Sequence, residues 1–351
     1  MLGLILIALQ TPSADLPQFP DNLKIGGRLM SDFHFGSGDD SAEVRRARIR
    51  ISGELAPDLD FLTEYDFASS GDLKELSLRY SRGRDRFRAG YFRQPFGLEN
   101  STSSNFHSFL EESSMSSALG TSRAAGLGWR RAEQGSAVQM GVYRSLSPKT
   151  GESPDQSWSL NTRAVWRPVV DIEQGELVHI GVAINMAFPD DPVEFDAGPG
   201  IHLAPKVVSS GLVDAAQLLR LAVEMAWIQG AWHGSAEWMQ VNAALEAGGS
   251  ESFDGWALAS GYFLTGETRG YSTSRSTFAR TDSTNAWEVT ARISDLDLSS
   301  SGGAAAQMLS TAVGINLYLN PNTRIILDWT RADVETRDAL DFISLRFAVD
   351  W

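Results

Sequence analysis

The stretch Arg46-Ala47-Arg48-Ile49-Arg50-Ile51-Ser52-Gly53-Glu54-Leu55 decides the fold. Its even positions are charged or polar, and its odd positions are small or apolar. Successive side chains of a β-strand point to opposite faces, so this strand has one wet face and one dry face. The wet face carries Arg46, Arg48 and Arg50, permanently charged planar groups with several donors suited to anions. A strand with its dry face outward and its charged face inward is the unit of a transmembrane β-barrel around a water-filled lumen.

Composition agrees. The chain has 351 residues, of which 42% are hydrophobic, and a mean hydropathy of −0.17. No apolar run approaches the ~18–20 residues of a membrane-spanning helix. By length alone two soluble domains would fit, but a barrel of this size runs as one domain. The 10 Trp, 17 Phe, 7 Tyr and 32 Gly suit a barrel with aromatic girdles. A net charge of −14 argues against nucleic acid as a partner. With no cysteine, disulfides, thiolate metal sites and cysteine nucleophiles are excluded. At the N-terminus, Met1–Leu9 is a short apolar run followed by Gln10-Thr11-Pro12-Ser13-Ala14-Asp15. This looks like the core and cleavage region of a secretory signal, although its basic start is missing. We expect residues 1–14 to be a signal peptide and 15–351 a single barrel domain; a short buried element is the alternative for the N-terminus.

Alternation recurs from about Lys24 to Trp351. Leu59, Phe61, Tyr65 and Phe67 alternate with Asp58, Asp60, Glu64 and Asp66; Leu76, Leu78 and Tyr80 with Arg79; Phe87 and Ala89 with Arg88. Further on, Trp158, Leu160, Ala164 and Trp166 alternate with Arg163, and Trp287, Val289, Ala291 and Ile293 with Arg292. The last strand sets Ile343, Leu345, Phe347, Val349 and Trp351 against Ser344, Arg346 and Asp350. Two long breaks interrupt the pattern, Gln94–Arg123 and about Pro189–Ala215.

Bacterial single-chain barrels have even strand numbers, short periplasmic turns and longer outer loops. Ala56-Pro57-Asp58, Gly83-Arg84-Asp85, Gln229-Gly230 and Asn320-Pro321-Asn322 all follow even-numbered strands, provided that Ile201–Val208 is not part of the wall. The count is then about 16 strands. It places Gly266–Thr284 on the periplasmic side, where a long connection is unexpected. A soluble β-sandwich would alternate too, but it needs neither wholly apolar faces capped by Trp and Tyr nor a charged interior face.

Six stretches carry a family resemblance: Arg45-Arg46-Ala47-Arg48, Phe61-Leu62-Thr63-Glu64-Tyr65-Asp66-Phe67, Gly90-Tyr91-Phe92-Arg93-Gln94-Pro95-Phe96-Gly97-Leu98-Glu99, Tyr262-Phe263-Leu264-Thr265-Gly266-Glu267, Trp287-Glu288-Val289-Thr290-Ala291-Arg292 and Leu317-Tyr318-Leu319-Asn320-Pro321-Asn322. Together they resemble the phosphate-selective porin O and P family and cover nearly the whole mature chain in the family's order. The resemblance implies an all-β, 16-stranded barrel in the bacterial outer membrane. It also implies a homotrimer, and a third loop folded inward as a constriction; Gln94–Arg123 occupies that loop's place. In the family an arginine ladder leads to a cationic constriction. Arg46, Arg48, Arg50 and Arg88 match the ladder. The loop departs from the pattern, because it holds Glu99, His107, Glu111 and Glu112, with Arg123 as its only arginine and no lysine.

Parity therefore proposes Arg46, Arg48, Arg50, Asp60, Glu64, Asp66, Arg79, Arg88, Arg163 and Arg292 as pore-lining, with Glu224, Glu237, Glu288 and Asp328 as further inward acids. Basic rings favour anions and acidic rings favour cations, so this mixture predicts a transverse field and weak selectivity. A structural reading of the arginines, as ion-pair braces to Asp60 and Glu64, is compatible with a conducting one. His107 and Glu111 have helical spacing but too few ligands for a metal site, and no metal or cofactor is assigned. There is no Gly-x-Ser-x-Gly elbow, and Gly248-Gly249 and Gly302-Gly303 are loop tips rather than phosphate loops. Phe347, Val349 and the terminal Trp351 resemble the signal read by barrel assembly machinery; a girdle aromatic is the plainer reading of Trp351. The expected function is passive diffusion of small hydrophilic solutes and ions through the outer membrane, anions or phosphate among them, without covalent chemistry. Its rivals are a selective phosphate channel and a plugged structural or adhesive barrel. The expected partners are those solutes, outer-membrane lipid, the assembly machinery and two further copies of the chain.

Overall fold

The computed structural model describes residues 22–38, 40–69, 71–145, 157–300 and 306–351. The expected signal segment 1–14 lies outside them. The first half contains β1 (Lys24–Gly36), β2 (Ser41–Ala56), β3 (Leu59–Asp66), β4 (Asp72–Arg82), β5 (Asp85–Arg93), α1 (Leu98–Ser101), α2 (Ser114–Leu119), β6 (Arg123–Ala132), β7 (Ser136–Arg144), β8 (Trp158–Asp171) and β9 (Glu176–Phe188). The second half contains β10 (Val193–Ala197), β11 (Val208–Val213), β12 (Ala215–Gln229), β13 (Trp232–Leu245), β14 (Ser250–Phe263), β15 (Tyr271–Ser272), β16 (Thr277–Phe278), β17 (Ala286–Asp297), β18 (Gln307–Asn320), β19 (Thr323–Val334) and β20 (Leu340–Asp350).

Sixteen of these strands close one antiparallel barrel in the order β1–β9, β12–β14 and β17–β20. The pairs β10–β11 and β15–β16 are separate hairpins, so Ile201–Val208 is indeed outside the wall. The seam joins β1 to β20, with Leu29 opposite Val349 and Phe33 opposite Leu345. Closure leaves no open sheet edge, which a lipid environment requires of a strand-built protein. The seam continues to the last residue: Gly27 and Trp351 exchange both backbone hydrogen bonds at 3.1 Å. A Cβ on Gly27 would lie 2.4 Å from the Trp351 ring, so only glycine lets the indole lie across β1.

Alternation sets the two faces as the sequence implies. Ile49, Leu55, Leu76, Leu127, Leu160, Trp166, Phe347, Val349 and Trp351 are exposed on the outside, an apolar belt that water would not tolerate on a monomer surface. Arg48, Asp66, Arg163, Glu224, Glu288 and Arg346 are buried inside.

The interior is not uniformly wet. The connection 94–122 folds inward, and its Phe96, Met115 and Leu119 pack with Ala183, Leu218, Met239, Val241, Phe253, Leu296 and Met308 of the wall. The β10–β11 hairpin adds Phe195, Val208 and Val213 to the same cluster. One side of the lumen, bounded by β9, β12–β14 and β17–β19, is therefore a dry core. Gly97 makes the bend into this packing with a φ of 67°, and a Cβ there would come 2.5 Å from Met239 Cε.

The connection 264–285 corrects the simple rule of short turns at that end. It also folds into the barrel: Arg269, Tyr271, Ser276 and Thr277 are buried. Tyr271 packs with Leu177 and Ile228 of the wall. A long connection is accommodated there because it fills interior space rather than standing out in solvent.

Candidate functional site: an arginine-lined lumen

The dry core leaves space on the side of β1–β7. A cavity of about 280 Å³ lies there, against the wall, the inserted loop 94–122 and the connection 264–285. Eleven arginines line it: Arg28, Arg46, Arg48, Arg50, Arg79, Arg86, Arg88, Arg93, Arg123, Arg130 and Arg275. The acids lining it are Glu64 and Glu75. Alternation delivers most of these arginines, one residue in two, from adjacent strands held in register: Arg28 faces Arg48 across β1–β2, and Arg79 faces Arg88 across β4–β5.

Several arginines are braced by carboxylates. Arg48 pairs with Asp66 at 2.7 Å and with Glu64 at 3.1 Å. Arg28 lies 3.5 Å from Glu64. Arg79 pairs with Asp60, and Arg88 with Glu75 while stacking 4.3 Å from the Phe92 ring. Five others, Arg46, Arg50, Arg123, Arg130 and Arg275, make no ion pair among the described residues. Burial, followed by the like charges of Arg50, Arg79 and Arg86, pulls the Arg275 guanidinium below its ordinary value. It stays protonated, as arginines in proteins do, and its field adds to theirs.

Most of the other acids expected in the lumen are engaged away from this cavity. Glu111 pairs with Arg45 and Arg346, both at 2.7 Å. Glu99 pairs with Arg292 at 3.0 Å, and Glu112 lies 3.5 Å from Arg93. Burial opposes ionisation of Glu111, but the Arg45 hydrogen bond and the charges of Arg346, Arg45 and Arg46 overcome it and hold the carboxyl well below the usual range. Glu237 accepts the backbone N–H groups of Leu98 and Glu99 at 2.7 Å, at the start of α1. Asp328 accepts the Leu110 N–H at 2.8 Å. Glu288 accepts from Ser108 at 2.9 Å and from Tyr318 at 2.7 Å. Glu99, Glu111, Glu237, Glu288 and Asp328 thus anchor the inserted loop, whereas Glu64 and Glu75 remain beside the cavity arginines.

Five expected residues lie away from the arginine cavity. Arg163 points inward but is sealed from the cavity, bound to Glu224 at 2.6 Å and to the Ser276 carbonyl at 2.8 Å. Arg292 donates to Glu99 and to the Glu111 carbonyl and stacks 4.5 Å from Phe109. Asp60 and Asp66 face inward as ion-pair partners of Arg79 and Arg48 and are not among the residues that line the arginine cavity. His107 is buried beneath the loop, 3.2 Å from the carbonyls of Glu99 and Thr102; burial holds its pKa below the ordinary value despite the nearby charges of Glu112 and Glu99.

Strand parity missed Arg45, which it places on the outer face. A bulge between Met30 and Ser31 leaves Arg45 without a register partner in β1, and it turns inward to Glu111. A β-bulge re-aims side chains in this way, and two successive arginines in an alternating strand are the only signal of it. Arg275 was missed because it belongs to the connection 264–285, whose entry into the lumen has no local signature.

A closed 16-stranded barrel with an apolar belt and an inward-folded third loop defines an outer-membrane porin. The chain belongs to the family described as phosphate-selective porin O and P, whose model matches residues 23–350. Its place is the bacterial outer membrane. A protein of Caulobacter vibrioides without assigned function is 24% identical over 244 residues, 66% of this chain and 49% of the relative's. The chain therefore spans about half the length of the curated relative it matches. In fold it is similar to OmpT of Vibrio cholerae in its trimer form (TM-score 0.61, 11% identity, 94% of this chain and 99% of that one). It is also similar to an anion-selective porin from Comamonas acidovorans (TM-score 0.58, 10% identity, 94% and 99%).

Proposed function

We propose that the protein conducts small hydrophilic solutes passively and prefers anions, with phosphate among the candidates. The observation that carries this reading is the set of cavity arginines without carboxylate partners, Arg46, Arg50, Arg123, Arg130 and Arg275. A unit charge ~4 Å from one guanidinium gains about 4 kcal/mol at an effective dielectric of ~20. Several such groups around one cavity attract anions and repel cations. The family name and the anion-selective porin of similar fold agree with this reading. Nothing in the arrangement calls for bond-making, and the role we assign is a channel rather than an enzyme. Arg48 and Arg88 line the path as braced charges, and Arg163 and Arg292 hold the inserts. Trimer assembly accords with the trimer form of OmpT, and Phe347, Val349 and Trp351 suit an outward signal to the assembly machinery.

A plugged barrel is the second reading, favoured by one observation: 94–122, the β10–β11 hairpin and 264–285 all enter the lumen. Planar-bilayer recording separates the two. Discrete channels whose reversal potential in a KCl gradient lies toward chloride support the anion porin. A reconstituted protein without conductance would sink it in favour of the plugged barrel.

A further inference from the structure

We propose that the barrel holds a divalent transition-metal site, formed by His34, Asp32 and Glu43 at the end of the wall where β1 and β2 meet the long loops. Asp32 and His34 are two residues apart on β1 and share its inner face. The bulge that frees Arg45 also resets the register, so that Glu43 comes directly opposite Asp32. One ligand atom from each of the three residues lies within 4.8 Å of the others.

The second observation is the state of His34. Its ring is 2% exposed, and Nε2 has no hydrogen-bond partner. Nε2 lies 4.0 Å from Asp32 Oδ2, too far for a hydrogen bond. The other ring nitrogen, Nδ1, is 2.8 Å from Ser344 Oγ. With Nδ1–H donating to Ser344, Nε2 carries a lone pair that no hydrogen bond occupies. A metal-binding histidine is held in this way, with its second nitrogen oriented by an outer partner. An unpartnered buried nitrogen is otherwise costly.

The carboxylates are placed to complete the set. Asp32 is held by Arg346 through both oxygens, at 2.7 and 2.6 Å, yet a carboxylate has about four lone-pair sites and keeps capacity for an ion. Glu43 accepts from His202 Nδ1 at 2.9 Å, which ties the loop 189–214 to the same point. Asp32, Glu43 and Glu111 stand with Arg45, Arg46 and Arg346 in this neighbourhood, so the charges balance before an ion enters. Donors at about 2.0–2.2 Å from an ion stand closer together than here; Glu43, at the partly exposed edge, has the freedom to close that gap. One imidazole and two carboxylates suit Zn²⁺ or a similar ion better than Ca²⁺ or Mg²⁺, which take oxygen ligands.

The test uses protein extracted from the outer membrane in detergent, stripped with a chelator and titrated with Zn²⁺ by calorimetry. We expect one ion per chain in the unsubstituted protein. His34→Gln and Glu43→Gln should each weaken binding by at least about tenfold, Ser344→Ala by about tenfold, and His107→Gln not at all. Circular dichroism identifies any variant that has lost its strands; if His34→Gln is one, Glu43→Gln at the partly exposed edge carries the comparison. No saturable Zn²⁺ uptake by the unsubstituted protein overturns the proposal, as does uptake that a folded His34→Gln or Glu43→Gln variant leaves unchanged. Conductance is not a readout of this experiment, so its result stands apart from that of the porin reading.

Discussion

Arg46 and Arg50 face the cavity without an ion pair among the described residues, whereas their neighbour Arg48 is clamped by Asp66 and Glu64. Truncating an unpaired lumen arginine removes field without orphaning a partner. The double variant Arg46→Ala/Arg50→Ala should therefore fold normally, while its anion-to-cation permeability ratio falls several-fold; reversal potentials in a KCl gradient measure the change. Glu111 is the opposite case. Glu111→Gln leaves Arg45 and Arg346 short of a counter-charge, and breaking a buried pair costs about 3–5 kcal/mol. We expect a lower melting temperature and noisier single-channel current as the loop 94–122 loosens. The pH dependence follows from the same group. Its carboxyl is held below its ordinary value of 4.5, so its contribution is complete above that value and is lost as pH falls through the depressed one. Glu111 thus adds no pH dependence to thermal stability between neutrality and about pH 5. Scanning the melting temperature of Glu111→Gln beside the unsubstituted protein tests this: the difference should be constant over that range and shrink only in stronger acid.

Among elements, the connection 264–285 departs furthest from a plain barrel. It is held by Arg163 and Arg167 through Ser276 and by His179 through Tyr271 at 2.7 Å. It also carries Arg275 into the arginine cavity. Replacing residues 267–284 with a two-residue Asn-Gly turn should enlarge the single-channel conductance and reduce anion preference together, because one element supplies both bulk and charge. A conductance equal to that of the full-length protein would mean that the connection does not border the conducting path. Arg163→Ala tests the anchor alone. It strands Glu224 beside Gly181, where that side chain lies across the backbone, with His179 as its remaining partner. The expected loss is about 3–5 kcal/mol, read as a lower melting temperature with the pore charge largely retained.

At the scale of the whole molecule, the barrel interior is divided into a dry side that holds the inserts and a wet side that holds the arginines. Acids of β12, β13, β17 and β19 serve the first, and arginines of β1–β6 serve the second. This division converts a chain of net charge −14 into a cavity of positive sign. If the cavity lies on the conducting path, phosphate added to a chloride-carrying channel should block current at millimolar concentration or below. Block that persists in Arg46→Ala/Arg50→Ala would place the phosphate elsewhere. Chemical cross-linking of the membrane-extracted protein should show three chains per assembly.

The sequence by itself determined the membrane barrel, its sixteen strands and the sides of the wall. These depend on alternation and turn chemistry, which act between residues close in the chain. It also located the third loop as a long polar break and the turns at Pro57, Arg84, Gly230 and Pro321. The tertiary structure alone decided which inward charges meet the cavity. Glu99, Glu111, Glu237 and Asp328 are distant in sequence from groups they hold, so strand parity for the last two and loop position for the first two read them as lumen charges and cannot see them engaged. One bulge at Arg45 and one folded connection at 264–285 lie outside any period-two rule. They change the polarity of the cavity, and the bulge brings His34, Asp32 and Glu43 together. A period of two fixes a face; occupancy of the space behind that face depends on inserts folding in from elsewhere in the chain.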